Sequence, residues 1–304
     1  MRIIVNGQQA FGKAALEAIV KAGKDEVVAV YAAPDKDGRP IDPIKQAALD
    51  LGLPVKQPAS YKDEAVLAEM AALKADLMVM AYVIIFVPEA ARDVPRLGSI
   101  CFHPSLLPKH RGPSSINWPI IWGSTKTGLT YFWPNDGLDE GDILLQKEVE
   151  IGPDDTLGSV YFDKIFPLGI ATTLEAIDLV RAGNPPHIKQ DDSKATYESW
   201  CKKEHGAIDW SRPAAAVYNL IRGTNPQPGA WTTLGGAEVT VYDSRKMDGA
   251  GEPGTVVNVD EAGVTVQAGG GRILIQRVRP KGQDKQTASD WARAAGLRPG
   301  MRLG

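Results

Sequence analysis

The chain has 304 residues, with 34 Lys plus Arg against 37 Asp plus Glu and a formal net charge of −3. That length exceeds one ordinary core and suits two domains, while 43% apolar and 23% charged residues exclude a disordered chain. The near-neutral balance argues against a protein that lives on nucleic-acid backbone, and two cysteines, Cys101 and Cys201, are too few for a disulfide scaffold or a zinc site, so a reducing cytoplasm is expected.

Ile3–Val5 is a short apolar run that reads as a buried strand, and Lys13–Ala22 reads as a helix. Val27–Tyr31 is the next strand, Pro43–Leu51 a helix, and Val55 opens a third strand. Glu64–Leu73 is helical and Leu77–Met80 is a further strand. Strands alternating with helices across short turns predict an α/β domain, a Rossmann-like and mostly parallel sheet with helices on both faces. Ligands in such sheets sit beyond the C-terminal strand ends near the switch in strand order. Leu129–Trp133 and Ile143–Val149 read as later strands, and Tyr161–Arg181 as a long helix.

Composition changes after Asn184-Pro-Pro186, and the polar stretch Gln190–Lys194 reads as linker. A helix over Pro213–Gly223 precedes four alternating segments split by glycine, Ala237–Tyr242, Thr255–Val259, Val264–Ala268 and Arg272–Val278. They predict a small OB-like β-barrel. The expected organisation is therefore a catalytic domain over 1–185, a linker over 186–204 and a barrel domain over 205–304. No apolar run reaches about 18 residues, so no membrane span is expected, and Met1-Arg-Ile-Ile-Val-Asn-Gly7 lacks the features of a signal peptide.

Gly7-Gln-Gln-Ala-Phe-Gly12-Lys13-Ala14 nearly fits a phosphate loop, but Ala14 stands where a magnesium-holding hydroxyl is required. The loop reads as a strand-to-helix turn. His103 follows an apolar strand and opens a proline-punctuated loop, a position where a proton-handling group is useful. Position alone leaves catalysis open beside the role of a satisfied core histidine. Asn135-Asp-Gly-Leu-Asp-Glu-Gly-Asp142 follows another apolar strand, with Gly137 and Gly141 bracketing Asp139. A carboxylate near an imidazole can orient it and relay a proton. A solvated acidic turn is the bland alternative. A metal on Asp136, Asp139 and Asp142 is disfavoured, because their spacing is not that of a calcium loop.

His103-Pro-Ser105-Leu106-Leu107-Pro108, then Arg111-Gly112, and later Asp136-Gly137-Leu138-Asp139-Glu140-Gly141-Asp142, together resemble the signature of the 10-formyltetrahydrofolate-dependent formyltransferase family. Further blocks extend the resemblance along most of the chain, among them Asn117-Trp118, Gln146-Lys-Glu148, Ile208-Asp-Trp210 and Pro228-Gly-Ala-Trp231. They resemble the hydrolase branch of that family, the N-terminal domain of 10-formyltetrahydrofolate dehydrogenase, more than methionyl-tRNA formyltransferase. The resemblance implies that 10-formyltetrahydrofolate is the formyl donor, that no metal is used, and that His103 and Asp139 are catalytic. It places the pterin pocket on Ala81–Val87, with Tyr82, Val83, Ile84 and Ile85 at its centre. The backbone of Gly137, Leu138, Asp139, Gly141 and Asp142 completes it, and Ser105, Leu106, Leu107 and Pro108 accompany the catalytic histidine. The transferases of the family carry asparagine two residues before that histidine, where its amide supports the oxyanion. Here Cys101 occupies that position with a far weaker donor, as the hydrolase branch's apolar residue there would lead one to expect.

Four readings follow. Formyl transfer to water is favoured by Cys101. Transfer to methionyl-tRNA would need a basic barrel surface, yet residues 205–304 hold 12 Lys plus Arg against 9 Asp plus Glu, a mild surplus. The cluster Arg272, Arg277, Arg279, Lys281 and Lys285 keeps a tRNA partner open without favouring it. Transfer to another amine, such as an amino sugar, is the third. A non-catalytic folate-binding module is disfavoured because both His103 and Asp139 are present. Nothing in the sequence assigns an oligomeric state.

Overall fold

The computed structural model describes all 304 residues. Their contacts divide into two compact units that are interleaved along the chain. The first comprises Met1–Arg111, Gly128–Val149 and Lys164–Tyr197, and the second Gly112–Thr127, Glu150–Asp163 and Glu198–Gly304.

The first unit is built on a seven-stranded sheet. Its strands are β1 (Arg2–Gly7), β2 (Glu26–Tyr31), β3 (Val55–Lys56), β4 (Leu77–Ala81), β5 (Ser99–His103), β6 (Lys126–Phe132) and β7 (Ile143–Glu150). They lie in the order β3-β2-β1-β4-β5-β6-β7. The first five pair in parallel, and β6 runs antiparallel to β5. Ile3, Ile4 and Val5 are fully buried, as strands covered on both faces require. Strand order reverses between β1 and β4, which is the switch point where this architecture opens a crevice. Backbones approach closely there. A Cβ on Gly7 would lie 2.4 Å from the Ala81 carbonyl oxygen, so only glycine fits.

Helix α1 (Gln9–Ala22) starts four residues earlier than the sequence predicts and stops at Gly23, which adopts φ 64°. Helices α2 (Pro43–Asp50) and α3 (Glu64–Ala72) are capped by Asp42 and Asp63, whose carboxylates accept from Ile44 and Ala65 amides. The long helix predicted from Tyr161 is two pieces, a π-helical segment Val160–Ile165 and an α-helix Phe166–Arg181. Pro167 explains the break: lacking an N–H, it belongs in the first turn of a helix.

The second unit holds two four-stranded sheets. β10 (Ser244–Met247), β13 (Gly271–Ile275), β12 (Gly263–Ala268) and β11 (Val256–Asp260) form an antiparallel set in that order. β15 (Gln286–Thr287), β14 (Arg277–Pro280), β9 (Ala237–Val241) and β8 (Ala230–Leu234) form the other, also antiparallel. The single strand predicted over Arg272–Val278 is two strands in different sheets. Its burial alternation shows why: Ile273 and Ile275 are buried, and then the phase slips to Val278 and Pro280. The amide of Gln276 turns away to the Asp243 carbonyl at the break. No helix is long and apolar enough to cross a membrane.

Candidate active site

Period two puts Ser99, Cys101 and His103 on one face of β5 and Ile100 and Phe102 on the other. Phe102 stacks on Phe11 at 4.1 Å between centroids, and Cys101 packs with the opposite cluster of Met78, Met80 and Ala91. His103, the last residue of β5, is buried. Its Nε2 lies 2.8 Å from the His110 carbonyl oxygen. A carbonyl only accepts, so Nε2 carries a hydrogen and Nδ1 is the nitrogen free to exchange protons. That Nδ1 lies 3.5 Å from Asp139 Oδ2. The distance is long for a hydrogen bond, and such contacts tighten when substrate binds.

Because β6 is antiparallel, its C-terminal end lies two residues back from His103 along β5: Phe132 pairs with Cys101 and Thr130 with His103. The following loop therefore has to return across the face to reach His103. Arg92 anchors its start. This buried guanidinium donates to the Val87 carbonyl at 2.7 Å and to Asp136 Oδ1 at 2.8 Å, and its own carbonyl accepts from Ser99 Oγ at 2.6 Å. One side chain thus ties the loop after β4 to the loop after β6. Asn135 Oδ1 accepts from the Gly137 amide at 3.0 Å, which turns the chain. At Gly141 a Cβ would lie 1.7 Å from the Trp133 carbonyl oxygen, so a side chain is excluded.

Asp139 itself sits at φ 56°, the left-handed region, which costs a non-glycine residue on the order of 1–3 kcal/mol. Gln190 opposes that cost. Its Nε2 donates to the carbonyls of Asp139 at 2.8 Å and Gly141 at 2.7 Å. Its Oε1 accepts from Arg111 Nε at 3.1 Å and Nη2 at 2.8 Å. Arg111 is 1% exposed and also donates to Asp192 Oδ1 at 2.6 Å and to the Tyr197 hydroxyl. Tyr197 in turn donates to Glu140 Oε1 at 2.6 Å. Two net hydrogen bonds at about 0.5–1.5 kcal/mol each are of the same size as the strain they offset.

The three aspartates of the loop take three separate partners: Arg92 for Asp136, His103 for Asp139, and His187 Nδ1 at 3.9 Å for Asp142. His187 stacks on Trp133 at 4.6 Å. No three His, Cys, Asp or Glu side chains are grouped to hold a metal ion.

The other expected positions divide by burial. Val83 and Ile85 pack against the apolar cluster that includes Cys101, whereas Tyr82, Ile84, Phe86 and Leu138 are exposed, between 41% and 59%. Tyr82 turns the chain at φ 64°. These four large apolar side chains stand open on two loops that Arg92 joins. Ser105 and Leu107 are buried and serve as scaffold. Ser105 Oγ donates to the Lys109 carbonyl at 2.7 Å, and Thr130 Oγ1 donates to the Ser105 carbonyl at 2.7 Å. Gln146 Nε2 holds the Leu107 carbonyl at 2.8 Å, with Leu106 and Pro108 half-buried beside them. Burial, and secondarily the Asp139 charge, push the Cys101 thiol well above its ordinary range, so it stays an uncharged, weak donor.

Sequence reasoning missed Arg92 and Gln190 altogether and took Arg111 only as part of a motif. Arg92 had no distinguishing signal, since it stands among other charges between Glu89 and Asp93. Gln190 had none, since it lies in a polar stretch that reads as linker.

An imidazole–carboxylate pair at the end of a central strand, on a mostly parallel sheet followed by an antiparallel β unit, defines a group-transfer enzyme architecture. The chain belongs to the formyl transferase family: residues 1–165 match its Formyl transferase domain and residues 201–296 its C-terminal domain. It is 43% identical over 249 residues to the cytosolic 10-formyltetrahydrofolate dehydrogenase of Xenopus tropicalis, covering 80% of this chain and 27% of that protein. The chain thus spans about a quarter of the length of that relative. It is 38% identical over 309 residues to the methionyl-tRNA formyltransferase of Geotalea daltonii, covering 100% of this chain and 98% of that protein. The fold is also that of the Helicobacter canadensis N-formyltransferase solved with folinic acid and dTDP-3-aminofucose, at a TM-score of 0.68, 17% identity, and coverage of 90% and 98%.

Proposed function

We propose that this protein removes the formyl group of 10-formyltetrahydrofolate and delivers it to water, releasing formate and tetrahydrofolate. The observation that carries the reading is the His103–Asp139 pair, with Nε2 of His103 committed to the His110 carbonyl and Nδ1 turned toward the carboxylate. The family and both curated relatives support the formyl chemistry. The exposed apolar side chains of Tyr82, Ile84 and Leu138, with the backbone of Gly137–Asp142, are the pterin pocket of this reading.

Water attacks the formyl carbon on N10 and gives a tetrahedral oxyanion. Collapse breaks the carbon–N10 bond, and N10 takes up a proton. Asp139 accepts the proton that leaves the attacking water and relays it to His103 Nδ1, which stabilises the oxyanion with that proton or delivers it to N10 as the bond breaks. Cys101 remains a neutral thiol beside them, a poor oxyanion donor where the amine-using relatives carry asparagine. Residues 1–185 are the folate-binding part of this proposal and residues 205–304 the accessory domain. The cytosolic dehydrogenases it resembles support a cytoplasmic place for the chain.

A second reading is transfer to an amine, methionyl-tRNA or an amino sugar. Its support is full-length coverage of the Geotalea daltonii methionyl-tRNA formyltransferase. One assay separates the two. The protein is incubated with 10-formyltetrahydrofolate alone while tetrahydrofolate is followed. Turnover without an added amine supports hydrolysis. Turnover only after methionyl-tRNA or an amino sugar is added overturns it in favour of transfer.

A further inference from the structure

We infer that the second unit carries a separate binding site for a small phosphate monoester, in a cavity of about 360 Å³ between the C-terminal end of helix Ala214–Gly223, β10 and the Gln276–Arg277 turn. Every residue lining it belongs to that unit, so the inference is independent of the formyl-transfer reading. The volume suits a small organic ligand.

Arg222 is the reason for the assignment. It lines the cavity yet is only 6% exposed. Its Nε donates to Asn219 Oδ1 at 2.9 Å, and its Nη1 donates to the carbonyls of Gly152 at 3.2 Å and Asp155 at 3.0 Å. Each of these acceptors is neutral, and Nη2 is left without a protein acceptor. Burial pulls the Arg222 guanidinium below its ordinary proton affinity, against the opposing influence of Tyr218, Asp155 and Asp154. A buried cation with neutral partners and a spare N–H favours an anion.

Two further guanidiniums line the same cavity. Arg245 donates to the Ser244 carbonyl at 3.1 Å and interacts with the Tyr218 hydroxyl, with no carboxylate in ion-pair range. Arg277 has only Asp243, at 3.9 Å, beyond hydrogen-bond reach. The two carboxylates in the lining have neutral donors of their own: Tyr218 donates to Asp154 at 2.6 Å and Asn225 to Asp243 at 3.4 Å. Three guanidiniums with spare donors match the terminal oxygens of a phosphate, which arginine binds as a fork. The neighbouring carboxylates suit hydroxyls on the organic part of an ester.

The same chemistry could be offered by a nucleic-acid backbone. The site is assigned to a free monoester because Arg222 is buried. A terminal phosphate with three unsubstituted oxygens can enter a cavity to reach it, whereas a backbone diester is held off by the sugars on both sides.

The test is calorimetric titration of the full chain with inorganic phosphate and with adenosine 5′-monophosphate, at ionic strength held constant with sodium chloride. Saturable one-to-one binding is expected. It should weaken about tenfold or more in an Arg245→Ala, Arg277→Ala double variant, as loss of charge-assisted bonds implies. Both side chains are exposed, so the double variant should fold. Arg222→Lys keeps the charge, loses the fork and should weaken binding too, while Arg293→Ala, outside the cavity, should leave it unchanged. Absence of saturable binding to either probe overturns the site, as does equal affinity in the double variant. Variants that weaken only the retention of tRNA, with no binding of either small probe, also overturn it.

Discussion

Gln190 spends both hydrogens of its amide on the Asp139 loop, one to the carbonyl of Asp139 itself at 2.8 Å and the other to that of Gly141 at 2.7 Å. The proposed proton-relay carboxylate is therefore positioned from a segment about fifty residues further along the chain. Gln190→Ala removes this support and strips Arg111 of an acceptor. It should lower kcat about tenfold, with a smaller change in KM, and lower stability by roughly 1–3 kcal/mol. Gln190→Glu keeps an acceptor for Arg111 and loses the two donors. Its second carboxylate oxygen would face the Asp139 and Gly141 carbonyls without a hydrogen, so it should lose both stability and kcat at least as the alanine variant does. If Gln190→Glu kept full turnover, the loop would not depend on those two bonds.

The catalytic pair has its own test. His103→Ala and Asp139→Asn should each reduce formyl turnover by roughly 10²-fold or more while leaving folate binding largely intact. The expectation rests on the 3.5 Å contact between Nδ1 and Oδ2 and on the proposed pterin pocket drawing on other side chains. Equilibrium binding of a non-reactive folate measured beside turnover checks it. Near-wild-type turnover in either variant would remove that residue from the mechanism.

Much of this was legible in the sequence because it is local. The alternation of strands and helices up to Leu77–Met80 needs only periodicity, and the motifs around His103 and Asp139 are each contiguous. What was not legible is long-range. The antiparallel direction of β6 makes the Asp139 loop leave from beside Cys101 rather than from beside His103, and no short-range pattern reports strand direction. Arg92 and Gln190 act on residues 44 to 51 positions away. The interleaving of Gly112–Thr127 and Glu150–Asp163 into the second unit has no compositional mark. The split at Gln276 did leave a trace, the slip in burial phase between Ile275 and Val278.

That interleaving bears on any attempt to isolate the folate-binding part. A chain ended at residue 203 loses the core built from Ile208, Trp210, Val264, Ile273 and Trp291. It keeps Gly112–Thr127 and Glu150–Asp163 without the rest of their unit. Asn117, for example, loses the Gly223 carbonyl to which its Nδ2 donates at 2.9 Å. Such a chain should be poorly soluble and bind a hydrophobic dye strongly. Recovery of a soluble monomer with sharp thermal unfolding would contradict this.

Alkaline pH should destabilise the protein early. Burial holds the Cys101 thiol and the Tyr31, Tyr61 and Tyr131 phenols above their ordinary values, and it pushes Cys201 up to about 11. The unfolded chain ionises at ordinary values, about 8.5 for thiols and about 10 for phenols. It therefore releases protons before the folded state does. This stability is complete below about pH 8.5 and is lost as pH rises, by up to roughly 1.4 kcal/mol per pH unit for each group. Urea midpoints between pH 7 and 10.5 should fall in two stages. Cys101→Ser with Cys201→Ser should abolish the first stage only, and a flat profile would mean that these groups are solvated in the folded state.

Cys101 also offers a test of the acceptor. It lies two residues before His103 on the same face of β5, with the Asp139 charge near enough to raise its thiol, so an amide there would sit within the candidate site. Cys101→Asn should strengthen oxyanion stabilisation when an amine attacks the formyl carbon. It should help attack by water less, because water needs proton removal as much as it needs oxyanion support. The substitution also introduces a carboxamide beside Met80 and its apolar neighbours, and an unpaired amide there would cost about 1–3 kcal/mol. Thermal stability is therefore measured with activity, against Cys101→Ala as the variant that removes the thiol without adding a polar group. A selective rise in amine formylation over formate release is the expected result. Equal losses with water and with amine, tracking the loss of stability, would reduce Cys101 to a packing residue.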